Sequence, residues 1–178
     1  MKKSERQVLT MDTYIPKVQD FKNTHFDYPE LSRIVGEPTL GALITIRNQI
    51  KANDQTVDST LGGGAHGHLG LVYSAQNYAT ILGTVPYIRP TLPILNVVPT
   101  DTQLQIAEKR HRYAVSLGQY RKVQGIERNI IQQIVTAIEP KYIRALRDTK
   151  TNKITKTIPD ILKFFFGAYG DMAPKELK

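Results

Sequence analysis

The segment Leu61–Leu71 constrains the fold more than any other part of this 178-residue chain, because five of its eleven residues are glycine and two are histidine. Glycine loses more backbone entropy on folding than other residues, so such a run is unfavourable inside a helix. The segment is therefore predicted to be a shaped loop, here called the Gly/His loop. Its defining residues are Gly62, Gly63, Gly64, His66, Gly67, His68 and Gly70.

Glycines let another backbone, an anion or a metal approach closely, so three kinds of site compete with a structural turn. A phosphate-binding P-loop is unfavoured because the Gly64–His68 stretch lacks the required Lys and hydroxyl. Two histidines can bind zinc, but the chain has no Cys, and only Asp54 and Asp58 lie nearby in sequence as carboxylate ligands. We expect no metal and no other cofactor. The favoured hypothesis is that both imidazoles donate hydrogen bonds to nearby carbonyls and hold the loop in place.

Length and composition favour one domain outside the membrane. A chain of 178 residues is long enough for one well-packed core. No apolar run approaches the roughly 20 residues of a membrane span. The absence of Cys fits a reducing compartment, and the basic N-terminus is followed by no apolar signal region. We expect a cytoplasmic protein with no membrane partner.

The positive charge is unevenly distributed. The net charge is +8, while the basic window Lys109–Lys156 holds twelve Lys or Arg residues against three acidic residues, a net +9. Such an excess favours RNA or another polyanion, with Tyr113, Tyr120 and Tyr142 available to stack on bases. Alternatively, the charges are the solvated outer faces of helices and the tyrosines are packing residues. The predicted nucleic-acid contacts are Lys109, Arg110, Arg112, Arg121, Lys122 and Arg128.

Apolar periodicity and capping residues predict an all-α fold. Residues 1–28 are predicted to be a flexible N-terminal arm that docks through Phe26 and Tyr28, and residues 29–178 a single helical domain. The long helix is predicted to be capped by Thr100 or Asp101, with possible bends at Gly118 and Gly125. The predicted helices are Pro38–Ala52, Ala75–Leu82, a long one through Leu104 to Ile138, Lys141–Arg147 and Ile158–Tyr169.

A long irregular connection interrupts the helices. Residues 83–100 contain four prolines among many apolar residues, and prolines at such intervals remove the donors that a β-ladder needs. The connection is predicted to be an extended, proline-rich arm lying over the helices.

The last helix carries more apolar residues than one buried face requires. Ile161, Leu162 and Phe165 are predicted to face the core. Phe164 or Phe166 would then lie near the surface, where either ring is available for assembly with another lobe or subunit.

Four blocks of the chain carry a family resemblance, namely Gln49–Asn53, Val57–Leu71, Ile143–Asp148 and Phe165–Gly170. In this order they resemble blocks of the Gag-like polyproteins of copia-type LTR retrotransposons from algae and other protists. The resemblance extends from about Arg33 to Leu177. It implies a capsid-like helical bundle, the amino-terminal lobe of a Gag protein, that self-assembles into virus-like particles around the element's RNA. The chain departs from such polyproteins in having no Cys-rich knuckle and no Asp-Ser/Thr-Gly protease triplet.

Three classes of function follow from these observations. The favoured one is a structural, self-assembling protein whose partners are further copies of itself and RNA bound without sequence specificity. The second is a basic nucleic-acid-binding module that does not assemble. An enzyme is disfavoured and no catalytic residue is predicted, because neither Gly-x-Ser-x-Gly nor His-Glu-x-x-His occurs in the sequence.

Overall fold

The structure, a computed structural model, describes residues 25–82 and 85–170. Within these ranges the chain is all-α, with helices and 3₁₀ turns and no β-strand. The α-helices are α1 (Leu40–Thr56), α2 (Ala75–Leu82), α3 (Gln103–Ala137), α4 (Pro140–Ile143) and α5 (Ile158–Tyr169), and the 3₁₀ turns are Leu61–Gly63, Leu69–Leu71 and Arg144–Leu146.

The described chain divides into two compact units, of which one holds most of the buried side chains. This unit, the core unit, comprises residues 25–82, 85–88 and 126–170. The other, the arm unit, comprises residues 89–125 and contains the end of the proline-rich connection and the first part of α3. The predicted boundary at residue 28 remains a prediction, and residues 1–24 of the predicted arm lie outside the described residues.

Helix α1 begins and ends later than the predicted Pro38–Ala52. Its N-cap is Thr39, whose Oγ1 accepts a hydrogen bond from the Ala42 amide at 3.3 Å, so the helix starts at Leu40. It continues to Thr56 because Asn53 and Asp54 are fully buried in its last turn. The predicted end at Ala52 was therefore wrong by one helical turn.

Helix α3 is one continuous element that passes through Gly118 and Gly125. It starts at Gln103, because Thr102 and Gln105 form a reciprocal cap in which each side chain accepts from the other's backbone amide. The predicted cap at Thr100 or Asp101 was therefore one or two residues early. In the core unit the helix buries Ile126, Ile130 and Ile134, at a spacing of four residues that keeps them on one face.

The C-terminal elements close the core unit. The predicted helix Lys141–Arg147 is one α-turn at Pro140–Ile143 followed by the 3₁₀ turn Arg144–Leu146. Helix α5 has the predicted bounds, with Thr157 as its N-cap and Gly170 as its C-cap. It contacts α1, and its residues Ile161, Leu162 and Phe165 are buried as predicted.

The proline-rich connection forms neither helix nor strand over residues 86–98, as predicted. Tyr87 is buried, but most of the large apolar side chains that follow it are exposed, and Ile94 is 88% exposed. Tyr87 is therefore packed as predicted for this arm, whereas the large apolar side chains after it are exposed.

Candidate functional site

The Gly/His loop folds back onto the end of helix α1. Gly67 has a φ of +54°, and a Cβ at this position would lie 2.7 to 2.9 Å from the carbonyl oxygens of Asp54, Gln55 and Val57. Only glycine combines this φ with such close contact to the carbonyls at the helix end. The next amide, that of His68, donates a hydrogen bond to the Asp54 carbonyl at 2.8 Å. The loop therefore acts as a C-terminal cap for α1.

His68 anchors the loop from inside the core unit. Its side chain is only 2% exposed, with Nε2 3.2 Å from the Asp58 carbonyl oxygen and Nδ1 2.9 Å from the Tyr87 hydroxyl. A carbonyl can only accept, so Nε2 carries a proton, and in the neutral imidazole Nδ1 then accepts from the Tyr87 hydroxyl. His68 thus donates to a carbonyl, as the structural hypothesis predicts for both histidines. The half-buried His66 side chain makes no hydrogen bond to the described residues.

Two tyrosine rings complete the packing around the loop. The Tyr78 hydroxyl donates to the Gly62 carbonyl at 3.3 Å, and the Tyr78 and Tyr87 rings lie 5.8 Å apart. The Tyr87 ring also occupies the space that a side chain at position 70 would need, which explains Gly70. Tyrosine side chains therefore occupy the space beside Gly62 and Gly70 in the loop.

The described residues contain no group of three His, Asp or Glu side chains placed to hold a metal ion. The two acidic residues nearest to the loop in sequence have different surroundings. The Asp58 side chain is exposed, whereas Asp54 is fully buried in the core unit. Histidine pairing alone does not make a zinc site, since three or four ligands must converge.

Asp54 is a buried acid whose side chain has no hydrogen-bond partner among the described residues. Both carboxyl oxygens are inaccessible to solvent, while the residue's backbone carbonyl accepts from the His68 amide. Burial raises the pKa of the Asp54 carboxyl well above its usual range, and the nearby negative charge of Glu127 raises it further. The neutral acid is favoured because a buried charge without a partner is very costly.

An amide cluster that sequence reasoning missed holds the segment after residue 24 against α1 and α3. Nδ2 of Asn53 donates to Oε1 of Gln133 at 3.1 Å and to the Tyr28 carbonyl at 2.9 Å. Nε2 of Gln133 donates to the carbonyls of Tyr28 and Pro29. Phe26, which lies close to this cluster in sequence, is buried as predicted. The Tyr28 ring is exposed, so Tyr28 docks through its backbone and not through its ring. No signal in the sequence pairs residues 80 positions apart.

The six predicted nucleic-acid contacts differ in their surroundings. Arg110, Arg112, Lys122 and Arg128 are exposed, and Arg121 is half-buried. Lys109 is half-buried, and its Nζ lies 2.7 Å from Oδ2 of Asp101. This ion pair neutralises part of the charge that the sequence assigned to RNA binding.

The three tyrosines proposed to stack on bases are half-buried. The Tyr142 ring meets the Tyr169 ring edge-on at 5.7 Å, and the Tyr120 hydroxyl accepts from Nε2 of Gln124 at 2.7 Å. Lys141 Nζ lies 4.9 Å from the centre of the Tyr142 ring. Tyr142 is thus engaged in packing, as the alternative interpretation of the tyrosines requires.

The two candidate assembly residues, Phe164 and Phe166, are half-buried on α5. The Phe164 ring meets the buried Phe165 ring edge-on at 5.3 Å. The Arg47 guanidinium lies 4.8 Å from the centre of the Phe166 ring, a cation–π contact that covers part of it. Phe164 is therefore the better candidate for a contact with another molecule.

Comparisons of this chain with protein-family models, with curated proteins and with solved structures find no match. Among the described residues, no helix is both long and apolar enough to span a bilayer. An account of function therefore depends on the residues and surfaces described above.

Proposed function

We propose that this chain is a structural, capsid-like protein that assembles with copies of itself around RNA. The observation that carries the proposal is the distribution of exposed apolar side chains. Of thirteen large apolar residues exposed in the described chain, seven lie between residues 92 and 115 of the arm unit. They are Leu92, Ile94, Leu95, Val97, Val98, Leu104 and Val115.

Concentrated apolar exposure of this kind is typical of a surface that another protein covers. An extended, proline-rich segment presents side chains without a hydrogen-bonded ladder, so it suits contact with a neighbouring molecule better than sheet formation. The resemblance to Gag-like polyproteins supports the same function, since it implies a helical capsid lobe in cytoplasmic virus-like particles. The net charge of +8 supports RNA as the enclosed partner.

The test is size-exclusion chromatography at low and high salt, with and without RNA, followed by electron microscopy of the high-mass fraction. We expect regular particles or arrays whose formation RNA promotes. A protein that stays monomeric under every condition would contradict the proposal.

A second candidate, a nucleic-acid-binding module without assembly, is favoured by the exposed Arg110 and Arg112 on α3. The same experiment separates the two. An RNA complex with one protein copy per site and no growth in mass at higher protein concentration supports the module, whereas particles support the capsid-like function.

A further inference from the structure

The first three turns of α3 carry an exposed stripe formed by Leu104, Glu108, His111 and Val115. The spacing of four, three and four residues places all four side chains on one side of the helix. Leu104 is 71% exposed and Val115 is 59% exposed, and Glu108 and His111 are also exposed. This α3 stripe lies wholly in the arm unit.

The stripe has the spacing of a two-helix seam. Residues that alternate three and four positions apart form the contact line when two helices pack side by side. On the flank of this line lie two alanines, Ala107 and Ala114, which allow another helix to approach closely. Lys109 and Arg110 lie on the far side of the helix, at about 100° per residue, so they do not face the seam.

The stripe is complementary to itself in the antiparallel orientation. When two copies pack so that Leu104 of each faces Val115 of the other, Glu108 of each faces His111 of the other. Apolar side chains then meet apolar side chains at both ends, and a carboxylate meets an imidazole N–H in both central layers. A parallel pair would instead place Glu108 against Glu108, which is unfavourable.

We infer that the α3 stripe is a two-fold contact between antiparallel α3 helices of two copies of this chain. The inference rests on the proposed function, since it names one of the contacts by which the chain self-assembles. Three helical turns bury less than the roughly 1,200 Å² of a stable dimer, so the contact is weak alone. Repetition through an assembly, together with other contacts, makes such weak contacts sufficient.

The test uses the absence of cysteine from the chain, so that each introduced thiol is unique. The variants are Leu104→Cys and Val115→Cys, oxidised separately and as an equimolar mixture. In the antiparallel pair position 104 faces position 115 of the other copy, while identical positions lie about 16 Å apart along the seam. That distance is too great for a disulfide, whose Cα atoms lie about 5.5 Å apart.

We expect the mixture to form a mixed disulfide dimer at least about tenfold faster than either variant alone. A mixture of Leu104→Cys with Arg110→Cys is the matched control, because residue 110 is exposed on the far side of the same helix. In the full chain, Glu108→Lys should weaken self-association, and adding His111→Glu should restore it.

The outcomes separate this contact from the proposed function. Particles that form without selective coupling of positions 104 and 115 would overturn the α3 stripe and leave the capsid-like function standing. Equally fast coupling within each single variant would show a parallel pair and also overturn it. Selective coupling without particles would support the stripe and contradict capsid-like assembly. If the variants show no coupling and the chain shows no self-association, both the α3 stripe and the capsid-like function are contradicted.

Discussion

The Tyr87 hydroxyl donates a hydrogen bond to Nδ1 of His68, 2.9 Å away, and so links the proline-rich connection to the Gly/His loop. Both residues are buried, and their rings meet edge-on. The contact joins a residue of the loop to one nineteen positions later in the chain. The loop's conformation therefore depends on a residue outside it.

Replacing Tyr87 by Phe tests this link. The variant keeps the ring but removes the donor to a buried imidazole nitrogen, so the free energy of unfolding should fall by about 1–3 kcal/mol. The measurement is urea denaturation followed by circular dichroism. Tyr73→Phe is the control, because the half-buried Tyr73 hydroxyl has no hydrogen bond to the described residues. Equal effects of the two substitutions would show that the Tyr87 hydroxyl contributes no more to the free energy of unfolding than the Tyr73 hydroxyl does.

Three glycine-to-alanine variants separate backbone strain from steric collision. Gly67→Ala should destabilise the protein by more than about 3 kcal/mol, because it combines positive φ with collision against three carbonyl oxygens. Gly36→Ala, at φ +77° with no atom within 4 Å of the new Cβ, should cost only about 1–2 kcal/mol.

Gly41→Ala completes the series, since it lies in helix α1 with open space around the new Cβ. It should stabilise the protein by up to about 1 kcal/mol, because alanine favours the helix over glycine. Thermal denaturation of the three variants measures the order. The same loss for Gly67→Ala as for Gly36→Ala would mean that the loop can move away from the helix end at no cost.

The buried Asp54 carboxyl predicts a loss of stability with rising pH. Its native pKa is raised, so the native state holds this proton more tightly than the unfolded chain does. The contribution of Asp54 is fully present below the unfolded pKa of about 4 and is lost as the pH rises towards the native pKa. Over that range its slope approaches about 1.4 kcal/mol per pH unit.

Urea denaturation at a series of pH values above 4 measures this slope. Asp54→Asn, which carries no ionisable group, should lose less stability than the unsubstituted protein as the pH rises. Glu30→Gln, which removes an exposed acid, is the matched control variant. Parallel curves for the protein and Asp54→Asn would contradict a raised pKa.

The two sides of helix α5 should respond differently to substitution. Phe165 is 1% exposed, so Phe165→Ala should leave a cavity and cost about 3–5 kcal/mol. Phe164→Glu, at a half-buried ring, should leave the helical content almost unchanged while preventing assembly. Phe166→Glu is a poorer test, because the new carboxylate would lie beside the Arg47 guanidinium. Unfolding of Phe164→Glu would place that ring in the core and move the assembly surface elsewhere.

The sequence predicted best those parts of the fold that depend on neighbouring residues. The bounds of α5 follow from Thr157, Pro159 and Gly170, which act within a turn of the helix ends. The predicted end of α1 was wrong because the observed end depends on Asn53, whose side-chain amide donates a hydrogen bond to Gln133 on another helix. Hydrophobic periodicity describes one element at a time, so it carries no information on such distant pairs.

In the candidate site, too, the sequence predicted the features that depend on neighbouring residues and missed those that depend on distant ones. The sequence predicted a shaped loop at residues 61–71, because so many glycines disfavour an α-helix there. It did not identify Tyr87 as the partner of His68, nor the burial of Asp54, since an acid in the last turn of an amphipathic helix is usually solvated. It also treated Lys109 as equivalent to its basic neighbours.

The different surroundings of Lys109 and Arg110 give the last prediction, which concerns RNA binding. Arg110 is exposed and forms no ion pair with the described residues, whereas Lys109 is paired with Asp101 at 2.7 Å. Arg110→Gln should therefore weaken binding to all RNA sequences and reduce the slope of affinity against salt concentration by about 1. Lys109→Gln should have a smaller effect, because Asp101 already neutralises that charge. Fluorescence anisotropy with a labelled single-stranded RNA at several salt concentrations measures both. Equal effects would mean that RNA displaces Asp101 from Lys109, and an affinity that does not change with salt would contradict electrostatic binding altogether.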